Sequence, residues 1–63
     1  MNEIGNKIKS ERRKKSLKQK ELAELAGISN TYLCDIEKGR SNPSIETLKT
    51  IAVALQTEVS KLI

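Results

Sequence analysis

Histidine is absent from this 63-residue chain, and cysteine, proline and tyrosine each occur once. Without histidine, the side chain most used for proton transfer and metal binding is missing. Cys34 has no partner for an intramolecular disulfide, and an unpaired thiol fits a reducing cytoplasm. Tyr32 is the only aromatic residue, so the stacking platforms that read single-stranded RNA cannot be built. No apolar run approaches the roughly 18 residues of a membrane span, and the first residues lack the apolar segment of a secretion signal. The three glycines form no phosphate-cradling loop, and no residues cluster with metal-ligand spacing. A chain this short buries only about 60% of its unfolded surface, which leaves little room for a pocket. Residues 1–63 therefore read as one domain with no catalytic residues, no metal and no cofactor, and an enzyme is not expected.

What is present in excess is positive charge at one end. Residues 1–20 carry eight of the twelve basic side chains (Lys7, Lys9, Arg12, Arg13, Lys14, Lys15, Lys18 and Lys20) against Glu3 and Glu11. The remainder is slightly acidic, and the whole chain carries +4. A basic end on a small domain implies a polyanionic partner.

The apolar positions recur at helical spacing, and no segment alternates long enough to make a strand. Five short helices are expected. The first covers about residues 2–15, with Ile4 and Ile8 on one stripe. The second covers 19–26, with Leu22, Leu25 and Ala26 inward. Gly27 supplies a left-handed stop, and Ser29 caps the third helix after a turn of only Gly27-Ile28-Ser29. Ile28 and Leu33 are spaced as a hydrophobic staple. Gly39 ends the third helix. Ser44 caps a fourth, whose inward side is Leu48, Ile51, Ala52 and Leu55, and a fifth starts at about Glu58, with Val59, Leu62 and Ile63 apolar. Helices this short cannot persist alone in water and must share one core. Two of them joined by a three-residue turn make a helix-turn-helix.

The third helix has two unlike sides. Leu33, Ile36 and Glu37 lie on one, whereas Thr31, Asp35 and Lys38 point the other way, with Asn30 at the entrance. The second side is small, polar and able both to donate and to accept hydrogen bonds, as a reader of base edges in a DNA groove must be. Arg12 continues the Ile4–Ile8 stripe and should point inward, as should Glu37. A buried charge is tolerable only when paired, so Arg12 and Glu37 are expected to form a salt bridge joining the first and third helices.

Residues 17–55, LKQKELAELAGISNTYLCDIEKGRSNPSIETLKTIAVAL, resemble the Cro/C1-type helix-turn-helix domain of bacterial and phage regulators. The resemblance runs from about Ile8 to Leu62. Its markers are Gln19 at the opening of the second helix, the Glu21-Leu22-Ala23 triplet, Gly27 in the turn, Ile36-Glu37-Lys38-Gly39, and Pro43 before the fourth helix. It implies an all-α, five-helix, lambda-repressor-like fold. It also implies a cytoplasmic, nucleoid-associated transcription regulator that binds double-stranded operator DNA as a two-fold homodimer, without a membrane. Residues 29–38 would lie in the major groove of a palindromic operator. The resemblance assigns base reading to Ser29, Asn30, Thr31 and Asp35, and phosphate binding to Lys18, Gln19, Lys38, Arg40 and Asn42, with Lys9 and Arg13 adding charge. A repressor is the leading expectation. The alternative is an antitoxin-type module that binds a toxin, or another co-regulator, and represses its own operon.

Three departures from the family pattern leave local geometry open. Lys18 stands where a Ser or Thr cap is usual, Ser16 where glycine is common, and Gln56-Thr57 where Gly-Val is frequent. Asp35 has two readings: its carboxylate accepts from a cytosine amino group, or it pairs with Lys38 three residues on.

Overall fold

The computed structural model describes residues 3–63, and the expected first helical residue, Asn2, lies outside them. Four α-helices follow in order: α1 (Glu3–Lys14), α2 (Gln19–Ala26), α3 (Asn30–Lys38) and α4 (Ile45–Ala54). No strand occurs among the described residues. The expected fifth helix is a single 3-10 turn, Val59–Lys61. Its bonds run i to i+3, from Lys61 N–H to Glu58 O and from Leu62 N–H to Val59 O. So short a segment does not repay the cost of starting an α-helix, and the tighter turn is enough to swing Leu62 into the core. Ile63 remains 60% exposed.

All four helices stop in the same way. The backbone N–H two residues past the last helical residue, or three past it in α1 and α4, reaches back to a carbonyl five residues earlier. The pairs are Leu17 to Arg12 (3.1 Å), Ile28 to Ala23 (3.0 Å), Arg40 to Asp35 (2.8 Å) and Thr57 to Ala52 (2.9 Å). This is the Schellman arrangement, and it needs a left-handed residue just before the donor. Gly27 (φ 73) and Gly39 (φ 81) meet that need without strain. Ser16 (φ 58) and Gln56 (φ 57) adopt the same conformation with a side chain attached. The backbone is thus left-handed at both positions where the resemblance implies glycine.

The helix starts follow the sequence signals. Ser29 Oγ accepts from Tyr32 N–H at 3.0 Å, and Ser44 Oγ accepts from Thr47 N–H at 3.1 Å. Lys18 offers no side-chain acceptor at the start of α2. Instead its own N–H donates to Glu21 Oε1 at 2.8 Å, which is half of a capping box.

The core is aliphatic: Ile8, Leu22, Ala23, Ala26, Leu33, Ile36, Leu48, Ile51, Ala52, Leu55 and Leu62 are buried. Helix α2 packs against both α3 and α4, and α1 packs against α3. Ile4, Ile28 and Val59 sit partly buried at the margin of this core. One expected core residue is outside it. Leu25 is 63% exposed, and Ala23 takes the inward position instead. At 100° per residue, Gln19, Leu22, Ala23 and Ala26 share one side of α2, whereas Leu25 lies about 110° from the middle of that side. Two alanines let α2 sit close to its neighbours, and that close approach selects the side.

Candidate nucleic-acid interface

The three-residue turn from Gly27 to Ser29 fixes α3 against α2. Leu33 and Ile36 anchor the inner side of α3 at 0% and 1% exposure. Everything opposite is forced outward. Asn30 and Thr31 are exposed at the first turn, and Lys38 is exposed at the last. The side chains of Asn30 and Thr31 make no hydrogen bond among the described residues, so their donors and acceptors are free. Ser29 differs. Its oxygen is already used as the cap of α3, which leaves its O–H as a donor. Cys34 is half-buried beside Leu33, as a small filler would be.

Asp35 is half-buried, and its nearest ionic partner is Arg40 rather than Lys38. Arg40 Nη1 stands 3.9 Å from Asp35 Oδ1. The left-handed turn at Gly39 explains the choice, because it folds the chain back so that Arg40 N–H bonds Asp35 O, which brings the Arg40 side chain over the carboxylate. The contact is loose, and Arg40 is 70% exposed, so the pair contributes little and the guanidinium stays available. Asn42, two residues on, is exposed.

Behind this surface lies a buried ionic hub. Arg12 Nε donates to Glu37 Oε2 at 2.8 Å, and Arg12 Nη2 donates to Glu37 Oε1 at 3.1 Å. The two side chains are 11% and 3% exposed. Arg12 Nη1 also donates to Leu17 O at 2.9 Å. The expected Arg12–Glu37 bridge is therefore present, in the bidentate form that is strongest for this pair. Sequence reasoning did not find the third member. Gln19 Nε2 donates to Glu37 Oε1 at 3.3 Å. Gln19 and Glu37 are 18 residues apart, and only packing of α2 on α3 brings them together. The hub joins α1, α2 and α3, and it aims the amide of Gln19, which keeps one N–H and its oxygen free.

Lys18 is exposed beside Gln19 at the start of α2, where unpaired backbone N–H groups favour an anion. Lys9 and Arg13 lie along the outer side of α1, where they line a shallow groove of about 550 Å³ with Asn6, Ser10 and Lys14. Lys14 is engaged by Glu11 at 3.2 Å. No group of three or more His, Cys, Asp or Glu side chains that could hold a metal ion occurs among the described residues. No helix among them is long and apolar enough to cross a membrane.

The sequence pattern of the helix-turn-helix family matches residues 8–62. The chain belongs to this family, in its Cro/C1-type branch. This helix-turn-helix chain is 45% identical over 60 residues to the immunity repressor protein of Bacillus phage phi105, which covers 95% of the chain and 42% of the repressor. The chain thus spans less than half the length of that relative. Its fold superposes on the restriction-modification controller protein C.AhdI from Aeromonas hydrophila with a TM-score of 0.96 and 31% identity, covering 98% of this chain and 94% of the other. It superposes on the biofilm master regulator SinR, solved in complex with DNA, with a TM-score of 0.89 and 40% identity, covering 94% and 95% of the two chains. These relatives are an immunity repressor, a controller protein and a master regulator, and none of the three is an antitoxin.

Proposed function

We propose that this helix-turn-helix chain binds double-stranded DNA sequence-specifically and represses transcription, with residues 1–63 acting as a single DNA-binding domain. The observation that carries the reading is the outer flank of α3. Asn30 and Thr31 are exposed with unused hydrogen-bonding groups on a helix whose opposite side is locked into the core. Such a flank serves no purpose in folding and has the size and polarity to read base edges in the major groove. In this reading, Ser29, Asn30, Thr31 and Asp35 select bases. Lys18, Gln19, Lys38, Arg40 and Asn42 hold the phosphates on either side, which sets position rather than sequence. The likeness to SinR in complex with DNA supports the docking, and the likeness to a phage immunity repressor supports the direction of regulation.

Size argues for two copies on the operator. The domain extends 24 × 24 × 20 Å along its principal axes, whereas successive major grooves on one face of the duplex are about 34 Å apart. One copy can therefore place one α3 in one groove, and a homodimer on a palindrome places two.

Selection of binding sites from random duplexes, followed by a salt titration of the winner, tests this. A palindromic winner is expected. If the pair neutralises about 6–10 phosphates, affinity falls by about 10³–10⁵ between 50 and 200 mM salt. Failure to enrich any sequence, or a complex indifferent to salt, overturns the proposal.

A further inference from the structure

Asp35 carries the single carboxylate on the outer flank of α3, since Glu37 is turned into the buried hub. At 100° per residue, Asp35 lies about 150° from the middle of the side formed by Leu33, Ile36 and Glu37, in line with Thr31 one turn before it. Its carboxylate accepts no hydrogen bond among the described residues, and Lys38 does not pair with it. The ionic contact it has is that of Arg40 to Oδ1, and 3.9 Å is beyond hydrogen-bonding distance. So loose and exposed a contact stabilises little and holds neither side chain in place. Both carboxylate oxygens therefore remain open acceptors on the flank that faces the proposed DNA.

We propose that Asp35 reads the exocyclic amino group of a cytosine, and that the complex thereby senses whether this amino group carries a methyl group. The inference rests on the DNA reading above and names the base under one residue. Phosphates line both edges of the major groove, so a carboxylate that enters it is repelled and must find a donor there. Two bases present one: cytosine at N4 and adenine at N6. Guanine, with N7 and O6, and thymine, with O4, present acceptors, which meet a carboxylate with like partial charge. Adenine sets its N7 acceptor beside the amino group, whereas cytosine has no acceptor of its own on that edge. An acceptor-only side chain therefore ranks cytosine first, adenine second and the other two last. Arg40 offsets part of the carboxylate charge without occupying its acceptors, and it does so over any sequence. The methyl sensitivity follows from valence. Of the two amino hydrogens of cytosine, one pairs with guanine and the other faces the major groove. A single N4-methyl group keeps the pairing hydrogen and puts a carbon where Asp35 needs a donor.

Parallel selections from random duplexes test this with the whole chain, as the parent, Asp35→Ala and Asp35→Asn. The parent's winner is expected to hold one fixed cytosine in each half-site whose preference is lost in Asp35→Ala, with every other position kept. Asp35→Asn should shift the same position toward adenine, because an amide accepts from N6 and donates to N7. The parent should then bind its winning duplex about tenfold or more weaker when that cytosine carries an N4-methyl group, which is the worth of one base contact. Asp35→Ala should bind the methylated and plain duplexes equally. Thermal melts check that the three proteins are folded, and the asparagine variant keeps the shape of the parent side chain. Identical base preferences in the parent and Asp35→Ala, or a parent indifferent to the methyl group, overturn the inference. So does a uniform change across all sequences in Asp35→Ala: a gain means that the carboxylate only repels phosphates, and a loss means that it only holds Arg40. A parent that enriches no sequence overturns the DNA reading and this inference together, whereas enrichment without a role for Asp35 leaves the DNA reading standing.

Discussion

Replacing Glu37 by methionine should come close to unfolding this domain, and replacing Arg12 as well should restore most of what is lost. The Glu37 carboxylate accepts two bonds from Arg12 and one from Gln19 at 3% exposure. Methionine has nearly the same length but leaves the guanidinium, itself 11% exposed, without a counter-charge. Breaking one side of a buried pair costs about 3–5 kcal/mol. A chain of 63 residues has only about 3–9 kcal/mol to lose, from about 0.05–0.15 kcal/mol per residue. Glu37→Met and Arg12→Met should therefore each leave a marginal protein. The double variant removes both charges and fills the space with apolar atoms, which is often close to neutral. What it still lacks is the Arg12 bond to Leu17 O and the Gln19 bond to Glu37, at about 1 kcal/mol each.

The cycle of parent, two single variants and double variant, followed by helical circular dichroism in urea, should give a coupling of about 3 kcal/mol or more. Additive losses agreeing within about 0.5 kcal/mol would refute the claim that the pair acts as a unit. The double variant also isolates Gln19. The domain stays folded but no longer aims that amide, so operator affinity should drop about fivefold, the worth of one hydrogen bond of about 1 kcal/mol.

Ser16→Gly and Gln56→Gly should each stabilise the domain. Relief of a left-handed residue returns about 1–2 kcal/mol, of which about 0.5–1 is offset by the greater freedom of unfolded glycine, so a rise in melting temperature is expected, and a fall in both variants would refute the strain. Lys18→Ser should gain about 1 kcal/mol by capping α2 while losing a cation beside the DNA, so stability should rise as the salt slope of DNA binding shrinks by about one unit. Thr31→Ala should change the preferred base at one position of each half-site, whereas Arg40→Ala should weaken binding to all sequences alike, and indistinguishable selectivity profiles would contradict the division between readers and holders.

Much of the fold was legible because its breaks are chemically explicit. Gly27, Ser29, Gly39 and Ser44 each perform one backbone task, and together they mark the end of α2, both ends of α3 and the start of α4. The α4 stripe was equally plain, since Leu48, Ile51, Ala52 and Leu55 are all buried. The Arg12–Glu37 bridge could be deduced because burial leaves an isolated charge no alternative. What could not be read depended on distance between elements. The inward turn of α2 was decided by how closely Ala23 and Ala26 allow neighbours to approach, and the pattern of apolar residues alone favours Leu25 just as well. Helical spacing offers Lys38 as the ionic partner in one of the two readings of Asp35, but the left-handed turn at Gly39 ends that spacing one residue later and delivers Arg40 instead. The Gln19 bond to Glu37 joins two helices, and nothing local to either segment signals it.

The two kinds of residue at the interface divide along the same line. Gln19 and Ser29 face the proposed DNA but also hold the fold, one through Glu37 and the other as the cap of α3. Asn30, Thr31, Lys38 and Asn42 are exposed and make no side-chain hydrogen bond or ion pair among the described residues. A change at the first pair alters binding and stability together, whereas a change at the second set can alter the operator at almost no cost to folding. In a domain with so small a stability reserve, that separation decides which positions are free to vary. If Asn30 and Thr31 read bases as proposed, specificity can drift through them while the hub of Arg12, Gln19 and Glu37 holds α3 in place.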